Sequence, residues 1–245
     1  MSHLSRRANQ ADLEALGLHD GTTDITQLPG ADFRSEVFVR TDPLTGQDGY
    51  TVAFRGTQTG RDWGQNLAQG AGMDTAYYRR AAQIGRMASG AAPGRVSFTG
   101  HSLGGGLAST AAAGAGSPAR TFNAAGLSQN TLDSYGSNTG GIQAYFLNED
   151  PLNRLQDSTW AADAVGTRRG YPATEIWSQS DRVPLEQPSN RFVPDAVERR
   201  YLRARQAAQE RANQQLRFHG PDELGKALEV EEEQIRQAQE EQGCV

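Results

Sequence analysis

The sequence predicts an α/β fold, a mostly parallel β-sheet flanked by helices, with a polar helical extension at the C-terminal end. Two observations carry this. Strand-like apolar runs alternate with segments of helical period between about residues 35 and 150, which is the signature of a sheet covered on both faces. Beyond about residue 180 the apolar residues thin out and Glu, Gln and Arg take over, which marks a change of architecture. The reading is therefore one globular core over residues 1–194. Residues 195–245 form a helical extension that belongs to the same unit. A chain of 245 residues is long enough to bury a substantial core.

In order along the chain, residues 8–17 read as a short helix, and Val37 and Val39 in "SEVFVR" alternate as a strand does. The turn residues of "DPLTGQDG" then lead into "YTVAFRG", where Tyr50, Val52 and Phe54 alternate with Thr51 and Ala53. These two strands predict a β-hairpin. Residues 73–89 place Ala76, Tyr77, Ala81, Ile84 and Met87 at helical spacing, and "GAAPGR" ends that helix before the strand "VSFTG". After Ser102, "LGGGLASTAAAGAG" continues as a helix of small residues able to lie close to a sheet. Further strands are predicted at 120–126, 142–149 and 173–178. Beyond Pro194 one charged helix carries Val197, Tyr201, Ala204, Ala208 and Ala212, and a second runs from Pro221 to about Gln242.

Composition excludes several classes. Net charge is -5, and the basic residues form no block interleaved with aromatics, so no nucleic-acid surface is expected. Lys226 is the single lysine, and Cys244, the lone cysteine, excludes both an intramolecular disulfide and a cysteine metal cluster. The N-terminal segment lacks the apolar run of about 7 to 15 residues of a signal peptide, and no stretch approaches the roughly 18 apolar residues of a membrane span. The expectation is a protein without a signal peptide, cytoplasmic as made.

The stretch "FTGHSLGGGL" contains G-x-S-x-G, with Ser102 at its centre. In this pattern a serine sits on a tight turn between a strand and a helix with its hydroxyl exposed. With 28 glycines in the chain, about 0.2 matches arise by chance, so the match needs the strand before it and the helix after it, and both are predicted here. A nucleophilic serine needs a base, a group to orient the base and donors for the oxyanion. Of the four histidines, His3 lies at the terminus, His19 precedes the sheet and His101 points away from its neighbour's hydroxyl. His219, in "LRFHGPDEL", is left as the base. The orienting acid should follow a strand between Ser102 and His219, where Asp150 ends "AYFLNED" before Pro151. Glu149, Asp157, Asp163 and Asp181 are the alternatives. The oxyanion donors are the backbone N–H of Leu103 and, in "FRGT" after the earlier strand, Thr57. Trp63, in "GRDWGQNL", is either a residue exposed at the mouth of the site or a buried anchor.

"VAFRGTQTGRDWGQNL", "VSFTGHSLGGGLA" and "AYFLNEDPLNRL", in this order and spacing, resemble the class 3 lipases, a family of α/β-hydrolases that includes fungal triacylglycerol lipases and bacterial lipases and phospholipases. The resemblance covers about residues 49–155. It implies the α/β-hydrolase fold, with Ser102 as nucleophile, Asp150 as triad acid, and Thr57 with Leu103 as oxyanion hole. His219 comes later after the acid than the family's histidine does, and residues 60–68, where such lipases carry a lid, have only Trp63 and Leu67 as large apolar residues. The expected activity is hydrolysis of lipid acyl esters through a Ser102 acyl-enzyme, without metal or cofactor. Transient contact with a membrane surface goes with it. Lacking a signal peptide, such a lipase would face its own membranes unless a specialised secretion system delivers it to another cell, with an immunity protein or secretion adaptor as partner. A small-ester carboxylesterase and a hydrolase-fold interaction protein are the competing readings.

Overall fold

A computed structural model of the chain describes residues 5–20, 24–27, 33–56, 75–158 and 162–172. By its contacts the chain divides into two compact units, Met1–Phe146 with Leu152–Gly170, and Leu147–Pro151 with Tyr171–Val245. The predicted strand at 173–178 and the helices beyond Pro194 lie outside the described residues.

The first unit opens with β1 (Arg6–Arg7) and α1 (Gln10–Ala15). A reciprocal cap starts α1: the Asn9 side chain accepts from the Asp12 N–H at 3.0 Å, and the Asp12 carboxylate accepts from the Asn9 N–H at 2.7 Å. Arg6 pairs with the same carboxylate at 2.5 Å, and this bond, followed by that from Asn9, holds the Asp12 carboxyl below the ordinary carboxylate range. Next come β2 (Ser35–Thr41) and β3 (Asp48–Phe54), an antiparallel hairpin that sets Val37 opposite Val52 and Val39 opposite Tyr50. Its tip closes through the Asp42 N–H to the Gln47 carbonyl at 2.8 Å, with Gly46 at φ 69°, a conformation glycine adopts freely.

Three crossovers follow. Helix α2 (Thr75–Ala91) leads into β4 (Val96–His101), α3 (Leu103–Ala115) into β5 (Ala119–Phe122), and α4 (Gln129–Tyr135) into β6 (Ile142–Leu147). Then come α5 (Pro151–Ser158) and β7 (Thr167–Tyr171). Among the described residues the sheet has seven strands in chain order, with β1–β2 and β2–β3 antiparallel and β3 to β6 all parallel. The expected mostly parallel α/β architecture is present. The core joins Leu16, Leu18, Phe33, Val37, Val52, Phe54, Ile84, Phe98, Leu107 and Ile142, all buried. Within it Phe33, Phe54 and Phe98 form a chain of ring contacts.

The small-residue helix α3 is buried from Gly104 to Ala113. It approaches α2 so closely that a Cβ on Gly85 would collide with the Ala111 backbone. The buried face of α2 is Tyr78, Ala81, Ala82, Ile84 and Ala88, whereas Met87 is 38% exposed. The stripe is thus rotated from the one the sequence spacing suggests. In the second unit, the Asn148 N–H donates to the Tyr171 carbonyl at 2.9 Å and the Asp150 N–H to the Leu147 carbonyl at 3.0 Å. Among the described residues no helix is long and apolar enough to cross a membrane.

Candidate active site

Strand β4 ends at His101 and α3 begins at Leu103, so Ser102 alone makes the turn between them. It does so at φ 57° and ψ -126°, a conformation that an L residue with a side chain rarely adopts. Ser102 stands in the N-cap position of α3, yet its hydroxyl makes no capping hydrogen bond. A serine at a helix start ordinarily spends its oxygen on the second or third N–H of the first turn.

The glycines of the pattern explain how the turn fits. A Cβ on Gly100 would collide with the Gly104 carbonyl, because strand and helix cross at van der Waals contact on either side of Ser102. A Cβ on Gly104 would strike the Phe54 carbonyl and approach the Arg55 carbonyl carbon to 2.9 Å, so the helix start also rests on the end of β3. Gly56 completes the contact: a Cβ there would stand 2.8 Å from the His101 carbonyl oxygen, 3.6 Å from the Ser102 Cβ and 3.7 Å from the Gly104 nitrogen. The loop that leaves β3 therefore starts against the serine.

The backbone of Ser102 is tied at both ends. Its N–H donates to the Phe122 carbonyl at 3.0 Å, and its carbonyl accepts from Gly105 at 2.9 Å, Gly106 at 3.2 Å and Ala125 at 2.9 Å. Leu103 is the first residue of α3, and the N–H groups of Leu103 and Gly104 precede the first backbone hydrogen bond of the helix, which Gly105 makes to Ser102. They point out of the helix start, where the partial positive charge of its dipole favours a negative oxygen.

Of the residues singled out from the sequence, the structure brings Ser102 and Leu103 together at the elbow, with Gly56 immediately before Thr57. Asp150 belongs to the second unit and is wholly buried in the turn between Leu147 and Pro151. Thr57, Trp63 and His219 lie outside the described residues. Asp163, an alternative acid, has a side chain 56% exposed and stands 3.7 Å from Arg168. Sequence reading missed Asn123 and Gln156. Asn123 is fully buried and holds φ 42°, and Gln156 donates from α5 to the Ala124 carbonyl at 3.2 Å.

A serine on a strained strand-to-helix elbow, at the C-terminal end of a strand in a mostly parallel sheet flanked by helices, defines the class as an α/β protein. Residues 4–188, about three quarters of the chain, match the profile of a phospholipase-like family described as the Tle-like phospholipase domain, and the chain belongs to this family. It is also 41% identical over 127 residues to a protein from Serratia liquefaciens named extracellular phospholipase A1. That alignment covers 48% of this chain and 40% of the relative, so the chain spans about two fifths of the length of the relative it matches.

Proposed function

We propose that the chain is a serine hydrolase of α/β-hydrolase type that cleaves a carboxylic ester of phospholipids through an acyl-enzyme on Ser102. The observation that carries this reading is the conformation of Ser102, a strained turn with a hydroxyl withheld from helix capping. Strain of this kind persists where the surrounding structure over-determines it, and it clusters at reacting residues. Membership of a phospholipase-like family supports lipid as substrate, and the name of the Serratia relative supports phospholipase A chemistry.

In this mechanism the Ser102 Oγ attacks the ester carbonyl carbon while His219 takes its proton. The carbonyl oxygen becomes an oxyanion held by the Leu103 N–H and by Thr57. Collapse expels the alcohol, a lysophospholipid, which takes the proton back from His219. Water, deprotonated by the same histidine, then attacks the acyl carbon, the bond to the Ser102 Oγ breaks with that proton passing to the oxygen, and the fatty acid is released. Asp150 orients the imidazole and stabilises its charged form. The order Ser102, Asp150, His219 and the complete burial of Asp150 support the assignment. Residues 195–245 then belong functionally with 1–194, because they carry the base.

Two finer readings complete the proposal. The protein works outside the cell that makes it, as the word extracellular in the relative's name supports. At the lipid surface, contact is made by Trp63 and by α2, which carries Arg79, Arg80 and Arg86 and no acidic residue. The test is titration with a fluorophosphonate together with mass spectrometry of the lipid products. One equivalent of label on the wild type, none on Ser102→Ala, and fatty acid with lysophospholipid as products support the reading. Labelling that persists in Ser102→Ala, or phosphatidic acid as product, overturns it.

A further inference from the structure

The segment Phe122–Ala125 holds the peptide of Ser102 from both sides. The Phe122 carbonyl accepts the Ser102 N–H at 3.0 Å, and three residues on the Ala125 N–H donates to the Ser102 carbonyl at 2.9 Å. One strand end cannot do both in extended conformation, because successive backbone groups would point to opposite sides and move along the sheet. The chain must reverse between them. It does so at Asn123, whose φ of 42° lies in the left-handed region. Asparagine is among the few residues with a side chain that enter this region readily.

The reversal is itself fixed from several directions. The Asn123 N–H donates to the Tyr145 carbonyl of β6 at 2.8 Å, and the residue is fully buried. Ala124 lies so near α3 that a Cβ on Gly105 would come within 2.6 Å of its own Cβ. The Ala124 carbonyl accepts the buried Gln156 Nε2 at 3.2 Å. The Ala125 carbonyl stands 3.1 Å from where a Cβ on Gly106 would be. Phe122, Ala124 and Ala125 are thus seated against Ser102 or the first turn of α3, while Asn123 is tied to β6.

We infer that Asn123 is a positioning residue of the reaction: its left-handed turn closes a backbone clamp, supported by Gln156, that keeps Ser102 in the strained conformation from which its hydroxyl attacks. The inference rests on the reading of Ser102 as nucleophile. A relaxed elbow would turn the serine oxygen toward the helix N–H groups it now avoids, and the attack geometry would be lost while the binding surface for lipid stayed intact. The effect should appear in kcat and in the acylation rate, and little in KM.

The test measures the second-order rate of fluorophosphonate labelling and the steady-state constants on a soluble ester, for correctly folded fractions of Asn123→Ala and Asn123→Gly. Glycine keeps the left-handed turn at no steric cost, whereas alanine resists it. Asn123→Ala should label at least about tenfold more slowly with KM within about twofold of wild type, and Asn123→Gly should recover most of the loss. Labelling of Asn123→Ala at the wild-type rate overturns the inference, and so does a glycine variant as slow as the alanine one. Should Asn123→Ala fail to fold, Gln156→Leu removes the single bond to Ala124. It should then label about threefold more slowly, and an unchanged rate rejects the clamp. Failure of the nucleophile reading looks different, since there the wild type itself takes no label at Ser102.

Discussion

Ser102 combines a φ of 57° with an uncommitted hydroxyl, and each has a separate consequence for substitution. Ser102→Ala removes one buried oxygen with no capping bond to lose, so the variant should fold with a melting temperature within a few degrees of wild type and hydrolyse no ester. Thermal melting and product analysis on one preparation check both halves. At Asp150, burial leaves an amide substitute in the same place but without charge, so Asp150→Asn should lower kcat on the order of 10² to 10⁴. Asp163→Asn, at an exposed carboxylate, should leave kcat within about twofold, and reversal of this order would move the triad acid. His219→Ala should match Ser102→Ala, because members of a triad act as one unit.

At the scale of the elements, the approach of α3 to the strand ends makes glycine positions unequal. Gly104→Ala would put a methyl group into the Phe54 carbonyl, so it should cost more than about 1 kcal/mol in denaturant unfolding and disturb the elbow as well. Gly90→Ala in α2 meets nothing within 4 Å and should stabilise by about 0.5 to 1 kcal/mol with activity unchanged. The cap of α1 adds a pH dependence. The Asp12 carboxyl is held low in the fold, so its contribution is complete above about pH 4 and disappears as pH falls through the depressed value. Asp12→Ala should cost about 1 kcal/mol at pH 7 and progressively less below pH 4, read from urea unfolding at each pH.

The same elements show what a sequence can and cannot display. The β4, Ser102, α3 passage was legible because alternation, a glycine pattern and a run of small residues coincide there. The strand expected over 120–126 stops at Phe122, since a positive φ at Asn123 leaves no periodic trace. Strand β7, "TRRGY", is mostly exposed, so it lacks the buried alternation that identifies a strand. Pro151 reads as the end of the preceding strand and serves as the first residue of α5, where its missing N–H costs nothing. Of the candidate site, the elbow serine and Leu103 at the helix start follow from local pattern. The clamp through Asn123 and Gln156 depends on pairings between β5, β6 and α5 that no single segment announces.

For the whole molecule, charge is distributed against its total. The chain carries -5, yet the 17 residues of α2 hold three arginines and no carboxylate, and none of the ion pairs among the described residues engages them. Arg79 and Arg86 are exposed and three-and-four spaced with Gln83, so they share one outward line of the helix. A basic line on an acidic protein should attract anionic lipid while the remaining surface repels it, at roughly 1 kcal/mol for each arginine near the headgroups. The double variant Arg79→Glu, Arg86→Glu should therefore lose at least about tenfold in hydrolysis of phosphatidylglycerol vesicles at low salt and keep its rate on a soluble short-chain ester. The difference should shrink at about 0.5 M salt, because screening acts within a few ångströms there, and it should vanish on phosphatidylcholine vesicles. Trp63→Ala separates the apolar contribution: if the indole meets lipid, its loss lowers activity on both kinds of vesicle at every salt concentration and spares the soluble ester. Equal vesicle activity of the arginine variant and the wild type in low salt would remove α2 from the lipid contact, and a Trp63→Ala protein weakened on the soluble ester with a lowered melting temperature would make Trp63 a core anchor instead.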